Sequence, residues 1–317
     1  MTGQADIAVL GGGAWGRALA VLAVRAGRSP VLWARRPAAP ELVVGGCPVT
    51  GDLALSLAPV ALLAVPAAAV REVAGAWLAA GGEGVLVSCA KGFDPATGRP
   101  LSEVLADDAP GAAVAVLSGP TFAAEALRGV PTAATVACAD AAVAARVADV
   151  LGSPGFRLYT TTDVIGVEAA GAFKNVLAIA CGIADGMALG DNARAALVTR
   201  GLAELARLVA GLGGRAETVM GLAGLGDVVL TCTSGQSRNY SFGRRLGEGM
   251  DRGAAMRASH GVVEGAATAA GLLARGRALG LDLPVTAAVH AVLDDGADLR
   301  ATVASLMARP PRGAETA

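Results

Sequence analysis

The stretch Ile7-Ala-Val-Leu-Gly-Gly-Gly-Ala-Trp-Gly16 stands almost at the start of a 317-residue chain, and its reading decides the fold. Ile7 to Leu10 is an apolar, partly β-branched run of the kind that fills a parallel strand buried on both faces. Gly11, Gly13 and Gly16 follow in G-x-G-x-x-G spacing, and Arg17 to Ala26 reads as a helix stopped by Gly27. Strand, glycine loop and helix in that order form the context this fingerprint requires. Gly11 permits the tight turn, Gly13 lets a pyrophosphate approach the backbone, and Gly16 lets helix pack on strand. The unpaired N–H groups at the helix start then hold phosphate charge. A Rossmann-type, doubly wound α/β sheet that binds a dinucleotide is therefore expected.

Working outward, the second strand, Pro30-Val-Leu-Trp-Ala34, ends in Arg35 and Arg36, and no acid appears until Glu41. An Asp or Glu at this corner would accept from a ribose 2′-hydroxyl, whereas arginines suit a 2′-phosphate. The reading leans to NADPH; two solvated loop arginines, or use of either cofactor, are the alternatives. Further strand-like runs are Ala61 to Val65, Gly84 to Ser88, Ala113 to Leu117, Ala133 to Ala137 and Phe156 to Thr160. Helical patterns separate several of them, as a doubly wound sheet requires. Ligands bind such sheets at the strand carboxyl ends. Polar clusters sit there at Ser88-Cys-Ala-Lys-Gly92 and Ser118-Gly-Pro-Thr-Phe-Ala-Ala-Glu125, so Lys91 is placed either beside a nicotinamide or as an exposed loop cation.

Composition closes off other classes. A net charge of −1 without a basic run argues against bulk nucleic-acid binding. Five scattered cysteines with no C-x-x-C pair suggest neither a disulfide framework nor a thiolate metal site, and fit a reducing, cytoplasmic setting. The N-terminus reaches a strand pattern at once, which leaves no room for a signal peptide. The run from Leu53 to Val70 is uncharged and apolar but carries Pro59 and Pro66, and is expected as a helix followed by a buried strand rather than a membrane span. Abundant Ala and Gly with few aromatics favour tightly packed helices.

From Thr161 almost no strand signal remains, and Ala-, Leu- and Val-rich helical patterns run to about Met307. The boundaries expected are 1–160 for the dinucleotide-binding domain, 161–308 for a helical domain and 309–317 for a frayed tail. Within the helical half lies Gly171-Ala-Phe-Lys-Asn175. Lys174 and Lys91 are the only two lysines among 26 basic residues; the rest are arginines. Arginine cannot exchange a proton near neutral pH, whereas a buried lysine can, so Lys174 in this apolar run reads as a group kept for chemistry. Gly171, Lys174 and Asn175 fall on one helix face. Further on, Gly221-Leu-Ala-Gly-Leu-Gly-Asp227 leads into Thr231-Cys-Thr-Ser-Gly-Gln-Ser-Arg-Asn239, which suits a phosphate through an arginine fork and short polar donors, or is an ordinary polar loop. His260 and His290 have no obvious partner and are assigned structural roles.

With these clusters in view, the chain resembles the bacterial NAD(P)-dependent sn-glycerol-3-phosphate dehydrogenase family. The matching stretches are Gly-Gly-Gly-Ala-Trp-Gly, Cys-Ala-Lys-Gly, Leu-Ser-Gly-Pro-Thr-Phe-Ala-Ala-Glu, Gly-Ala-Phe-Lys-Asn-Val, Gly-Leu-Ala-Gly-Leu-Gly-Asp and Ser-Arg-Asn, in the family's order. The resemblance implies a Rossmann domain with an all-α domain of the 6-phosphogluconate dehydrogenase type, a homodimer, and no integral membrane segment. It implies reduction of dihydroxyacetone phosphate to sn-glycerol 3-phosphate, the backbone of phospholipids; Arg35 and Arg36 make NADPH the preferred cofactor, with NAD possible. It implies cofactor contacts at Gly11, Gly13, Ala14, Trp15, Gly16, Arg35, Lys91, Ala123, Arg238, Val262 and Glu264. The substrate would meet Lys91, Gly119, Thr121, Lys174, Asp227, Ser237, Arg238 and Asn239, with Lys174 moving the proton and Lys91 stabilising charge on oxygen. The alternative is a β-hydroxyacid dehydrogenase acting on a small carboxylate. Two departures stand out: Arg17 where a small residue is expected, and a shortened segment between Arg36 and the Ala61 strand.

Overall fold

The apolar runs at the centre of the first half become strands because both their faces are covered. In a computed structural model describing residues 5–36, 43–259 and 261–309, nine strands form one sheet. They are β1 (Ile7–Leu10), β2 (Pro30–Trp33), β3 (Val43–Val44), β4 (Cys47–Thr50), β5 (Val60–Leu63), β6 (Val85–Ser88), β7 (Ala113–Ser118), β8 (Thr132–Cys138) and β9 (Phe156–Thr161). Their order is β3-β4-β2-β1-β5-β6-β7-β8-β9. Neighbours from β4 through β7 run parallel. The β3–β4 and β7–β8 pairs are antiparallel, and β9 runs parallel to β8. Helices α1 (Ala14–Arg25), α2 (Val70–Ala79), α3 (Leu101–Asp108), α4 (Ala123–Arg128) and α5 (Ala141–Leu151) flank the sheet. Strand alternation divides the core in two: Ile7 and Val9 pack with Leu19, Leu22, Ala126 and Val147 on one face. Ala8 and Leu10 pack with Val73, Trp77, Leu101 and Leu105 on the other.

The stretch 53–70 departs from expectation. Only one 3₁₀ turn, Leu53–Leu55, precedes β5. Asp52 starts it by accepting from the Ala54 N–H (2.9 Å), and Ser56 Oγ closes on the Leu53 carbonyl at 2.7 Å, leaving no room for a longer helix before Pro59. The described part of the shortened segment forms the β3–β4 hairpin, whose strand β4 extends the sheet beyond β2.

The chain divides into two compact units, residues 1–94 with 99–168, and residues 95–98 with 169–317. The division falls inside α6 (Val164–Gly186), after Glu168. The remaining helices are α7 (Asp191–Gly211), α8 (Asp227–Cys232), α9 (Arg238–Gly247), α10 (Arg252–Arg257), α11 (Glu264–Ala278), α12 (Pro284–Leu293) and α13 (Leu299–Met307). Polar caps fix several starts: Asp140 for α5, Ser237 for α9, Asp251 for α10 and Asp298 for α13 each accept a first-turn N–H. The start of α12 is held differently. Glu204, fully buried on α7, accepts from Val285 N at 2.8 Å, Thr286 N at 3.0 Å and Thr286 Oγ1 at 2.6 Å.

The axis of the helical unit is α6. It is long and apolar enough to cross a membrane by length and composition, but 83% of its apolar window is buried inside the protein. Gly182 and Gly186 on α6 face the α9 backbone, and Gly243 and Gly247 on α9 face the α6 backbone. A Cβ at any of the four would come within 2.1–2.4 Å of a carbonyl oxygen on the other helix. Two small-xxx-small ridges thus let the backbones meet, the close approach that an Ala- and Gly-rich composition favours. His290, near the end of α12, is not unpartnered: Nδ1 lies 2.9 Å from Asp294 Oδ2, one turn on. His260 and the tail from 310 lie outside the described residues.

Candidate active site

In the first unit the glycine loop is built by backbone contact. Gly11 leaves β1 with φ +135°, and its N–H donates to the Trp33 carbonyl at 2.9 Å. A Cβ on Gly16 would lie 1.8 Å from the Gly11 carbonyl oxygen, so α1 reaches the strand only with glycine there. Gly13 is the opposite case: a Cβ would meet nothing within 4 Å, so the space above the loop is open. Gly13 is also the α1 N-cap, without a side-chain cap and with no acid in the first turn. Open space over uncapped N–H groups fits a dinucleotide pyrophosphate. Ala14 is exposed and Trp15 half-buried at the same helix start.

At the end of β2, Arg35 Nη2 pairs with Glu72 Oε1 of α2 at 3.0 Å, both side chains well exposed. Such a pair contributes little, so a bound phosphate can replace the carboxylate. At the ends of β6 and β7, Lys91 Nζ donates to the Gly119 carbonyl at 2.8 Å and lies 3.5 Å from Thr121 Oγ1. The structure thus brings Lys91, Gly119 and Thr121 together. A Cβ on Gly119 would sit 2.8 Å from Ala134 Cα, which excludes a side chain. Ala123 begins α4 directly after this loop.

In the second unit, Lys174 projects from the middle of α6 and is only 7% exposed. Its Nζ donates to Asp227 Oδ1 at 3.0 Å and to Thr231 Oγ1 at 2.9 Å, and Thr231 Oγ1 donates to the same Asp227 oxygen at 3.0 Å. Asp227 and Thr231 are 1% and 2% exposed. A buried ammonium needs a counter-charge, and this triangle supplies one. A π-helical turn, Leu222–Gly226, delivers Asp227 to the first position of α8. Thr231, one turn further, joins this cluster without a motif of its own; its signal in the sequence is the i, i+4 spacing from Asp227 on a short helix.

Beside Lys174, Asn175 is tied into a second network. Asn239 Nδ2 donates to Asn175 Oδ1 at 2.8 Å, and the Gly265 N–H donates to Asn239 Oδ1 at 3.0 Å. The chain of bonds joins α6, α9 and the first turn of α11. Ser237 caps α9 by accepting from Tyr240 N at 3.2 Å, and Arg238 is the exposed first residue of that helix. A Cβ on Gly261 would come 2.7 Å from Arg238 Nη1, so the guanidinium lies over the backbone just before Val262. Val262 is 48% exposed and Glu264 begins α11. All five cysteines are buried free thiols, and a hydrogen bond with neighbouring Cys181, together with burial, pushes the Cys232 thiol well up.

The model of the NAD-dependent glycerol-3-phosphate dehydrogenase N-terminus matches residues 6–43 and 49–144, and that of the C-terminus matches residues 163–304. The chain belongs to the NAD-dependent glycerol-3-phosphate dehydrogenase family. It is 47% identical to the glycerol-3-phosphate dehydrogenase (NAD(P)+) of Rhodospirillum rubrum, over 96% of this chain and 93% of that one. Among solved structures, the glycerol-3-phosphate dehydrogenase of Coxiella burnetii superposes with a TM-score of 0.91 at 37% identity, covering 96% of this chain and 99% of that one. The yeast glycerol-3-phosphate dehydrogenase shares the fold at a TM-score of 0.81 and 21% identity, with 96% and 99% coverage. Within this glycerol-3-phosphate dehydrogenase frame the glycine loop falls in the N-terminal match, and Lys174, Asp227 and Arg238 fall in the C-terminal one.

Proposed function

We propose that the chain is a glycerol-3-phosphate dehydrogenase that reduces dihydroxyacetone phosphate reversibly, uses NADPH in preference to NADH, and moves the proton through Lys174. The observation that carries the proton assignment is the buried Lys174–Asp227–Thr231 triangle. When bound, the dinucleotide supplies or accepts the hydride. The protein must then manage one proton at the C2 oxygen and hold the phosphate.

Lys174 donates the proton to the carbonyl oxygen in reduction and takes it from the C2 hydroxyl in oxidation. Asp227 compensates the ammonium in either direction, and Thr231 fixes its orientation. Lys91 stabilises negative charge on the oxygen, while Gly119 and Thr121 shape that wall of the site. Arg238, with Ser237 and the first backbone N–H groups of α9, holds the phosphate through charge and hydrogen bonds. Asn239 gives one Nδ2 hydrogen to Asn175, and its second is assigned to the substrate. Gly11, Gly13, Ala14, Trp15, Gly16, Arg35, Lys91, Ala123, Arg238, Val262 and Glu264 are assigned to the dinucleotide. On this reading residues 1–160 form the dinucleotide-binding domain and 161–308 the substrate domain of a cytoplasmic homodimer that supplies glycerol phosphate for phospholipid synthesis.

Family membership favours this activity over a β-hydroxyacid dehydrogenase. Following loss of NADPH absorbance with dihydroxyacetone phosphate against small oxo acids tests it, and preferential turnover of an oxo acid would overturn it. Lys174→Ala should cost several orders of magnitude in kcat per folded molecule, with the folded fraction checked by circular dichroism; near-normal turnover would sink the proton assignment.

A further inference from the structure

One cation beside the glycine loop has no role so far. Arg17 is exposed in the first turn of α1, yet its side chain does not extend into solvent: Nε donates to the Gly12 carbonyl at 3.1 Å. This bond folds the guanidinium back onto the loop. Among the described residues Arg17 makes no other hydrogen bond or ion pair, so both Nη groups keep their donors.

The position of Gly12 shows which side of the loop is involved. A Cβ on Gly12 would come 2.7 Å from Ala34 Cβ, so Gly12 packs on the residue that follows β2 and precedes Arg35 and Arg36. Arg17 is therefore anchored to a loop residue that borders the corner where a bound dinucleotide presents its adenosine ribose. Arg35, whose exposed pair with Glu72 a phosphate can displace, stands at the same corner. A guanidinium has donors and no acceptor, and its paired N–H groups match phosphate oxygens.

We propose that Arg17 is a specificity residue whose Nη groups take the 2′-phosphate of the dinucleotide. The Nε–Gly12 bond restrains the fork before the ligand arrives, which lowers the ordering cost on binding. The proposal rests on the NADPH preference argued above.

The test uses calorimetric titration of the full chain with adenosine 2′,5′-bisphosphate and with 5′-AMP, which differ only in the 2′-phosphate. The parent protein should prefer the bisphosphate. Arg17→Thr should weaken it roughly ten- to a hundredfold, the span of one charge-assisted hydrogen bond, and leave 5′-AMP within about twofold. Arg17→Lys should recover part of the loss, and thermal unfolding without ligand should match the parent. Equal affinity of the parent for both ligands would remove the NADPH preference and Arg17 with it. A preference kept by Arg17→Thr but lost in Arg35→Ala would overturn the Arg17 assignment alone. Equal weakening of both ligands by Arg17→Thr would place Arg17 on the 5′-phosphate side and overturn it as well.

Discussion

The Lys174–Asp227 pair makes a quantitative claim. At 3.0 Å and an effective dielectric of about 20, the gross attraction is roughly 5 kcal/mol, most of it offset by desolvation of two nearly buried charges. Removing either partner leaves the other ionised in a site that is 1–7% exposed. Lys174→Gln and Asp227→Asn should therefore each destabilise the folded protein by about 3–5 kcal/mol. The double variant removes both charges together and should lose less than the sum, with a coupling energy of about 2–4 kcal/mol. Urea unfolding followed by far-UV circular dichroism is the right assay. Trp15, Trp33 and Trp77 all lie in the first unit, so their fluorescence reports the wrong half, whereas helix ellipticity weights the second. Additivity of the single variants within about 0.5 kcal/mol would refute the triangle as a coupled unit.

Glu168, buried on α6, accepts from Ser102 N and Ser102 Oγ at the start of α3, and burial raises its carboxyl to about 7. Because the folded value exceeds the unfolded 4.5, its contribution is fully present below about 4.5 and is lost as pH rises through about 7, a change on the order of 3 kcal/mol; Glu168→Gln should flatten urea midpoints measured from pH 4.5 to 8, and an unchanged slope would contradict it. Glu204→Ala leaves two buried N–H groups and a hydroxyl without their acceptor and should cost about 2–4 kcal/mol, with Glu204→Gln much milder by the same unfolding assay. Gly16→Ala drives a methyl into the Gly11 carbonyl, so dinucleotide binding measured by titration should fall below detection in any folded material.

The runs that became β1, β2, β5, β6 and β7 were legible because strands covered on both faces must be apolar throughout, whereas β8 and the largely exposed β9 were legible from their β-branched and aromatic residues. The β3–β4 hairpin was not: β3 has two residues and β4 contains Pro48, so neither shows a period. Its readable trace was the Gly45-Gly46 turn between β-branched residues. Lys174 was legible through the scarcity of lysine, and Asp227 only through the motif around it. Thr231 carries no such mark, since a threonine on a short apolar helix is ordinary until its neighbours in space are known. The same holds for Glu168 and Glu204, whose burial is decided by the helix starts they hold. His290 is a different failure: Asp294 one turn on could have been read as its partner.

The glycine ridges at the α6–α9 crossing have a consequence for how this molecule breathes. Where four glycines bring two backbones together, no side chain can swing aside to open a partial gap. Amides of the two helices near the crossing should therefore exchange with deuterium only when the whole helical unit unfolds. Lys174 and Asn175 on one helix and Asn239 on the other would then belong to a single protected block, and the slowest-exchanging hydrogens of the chain would map the surroundings of its buried lysine from the backbone side.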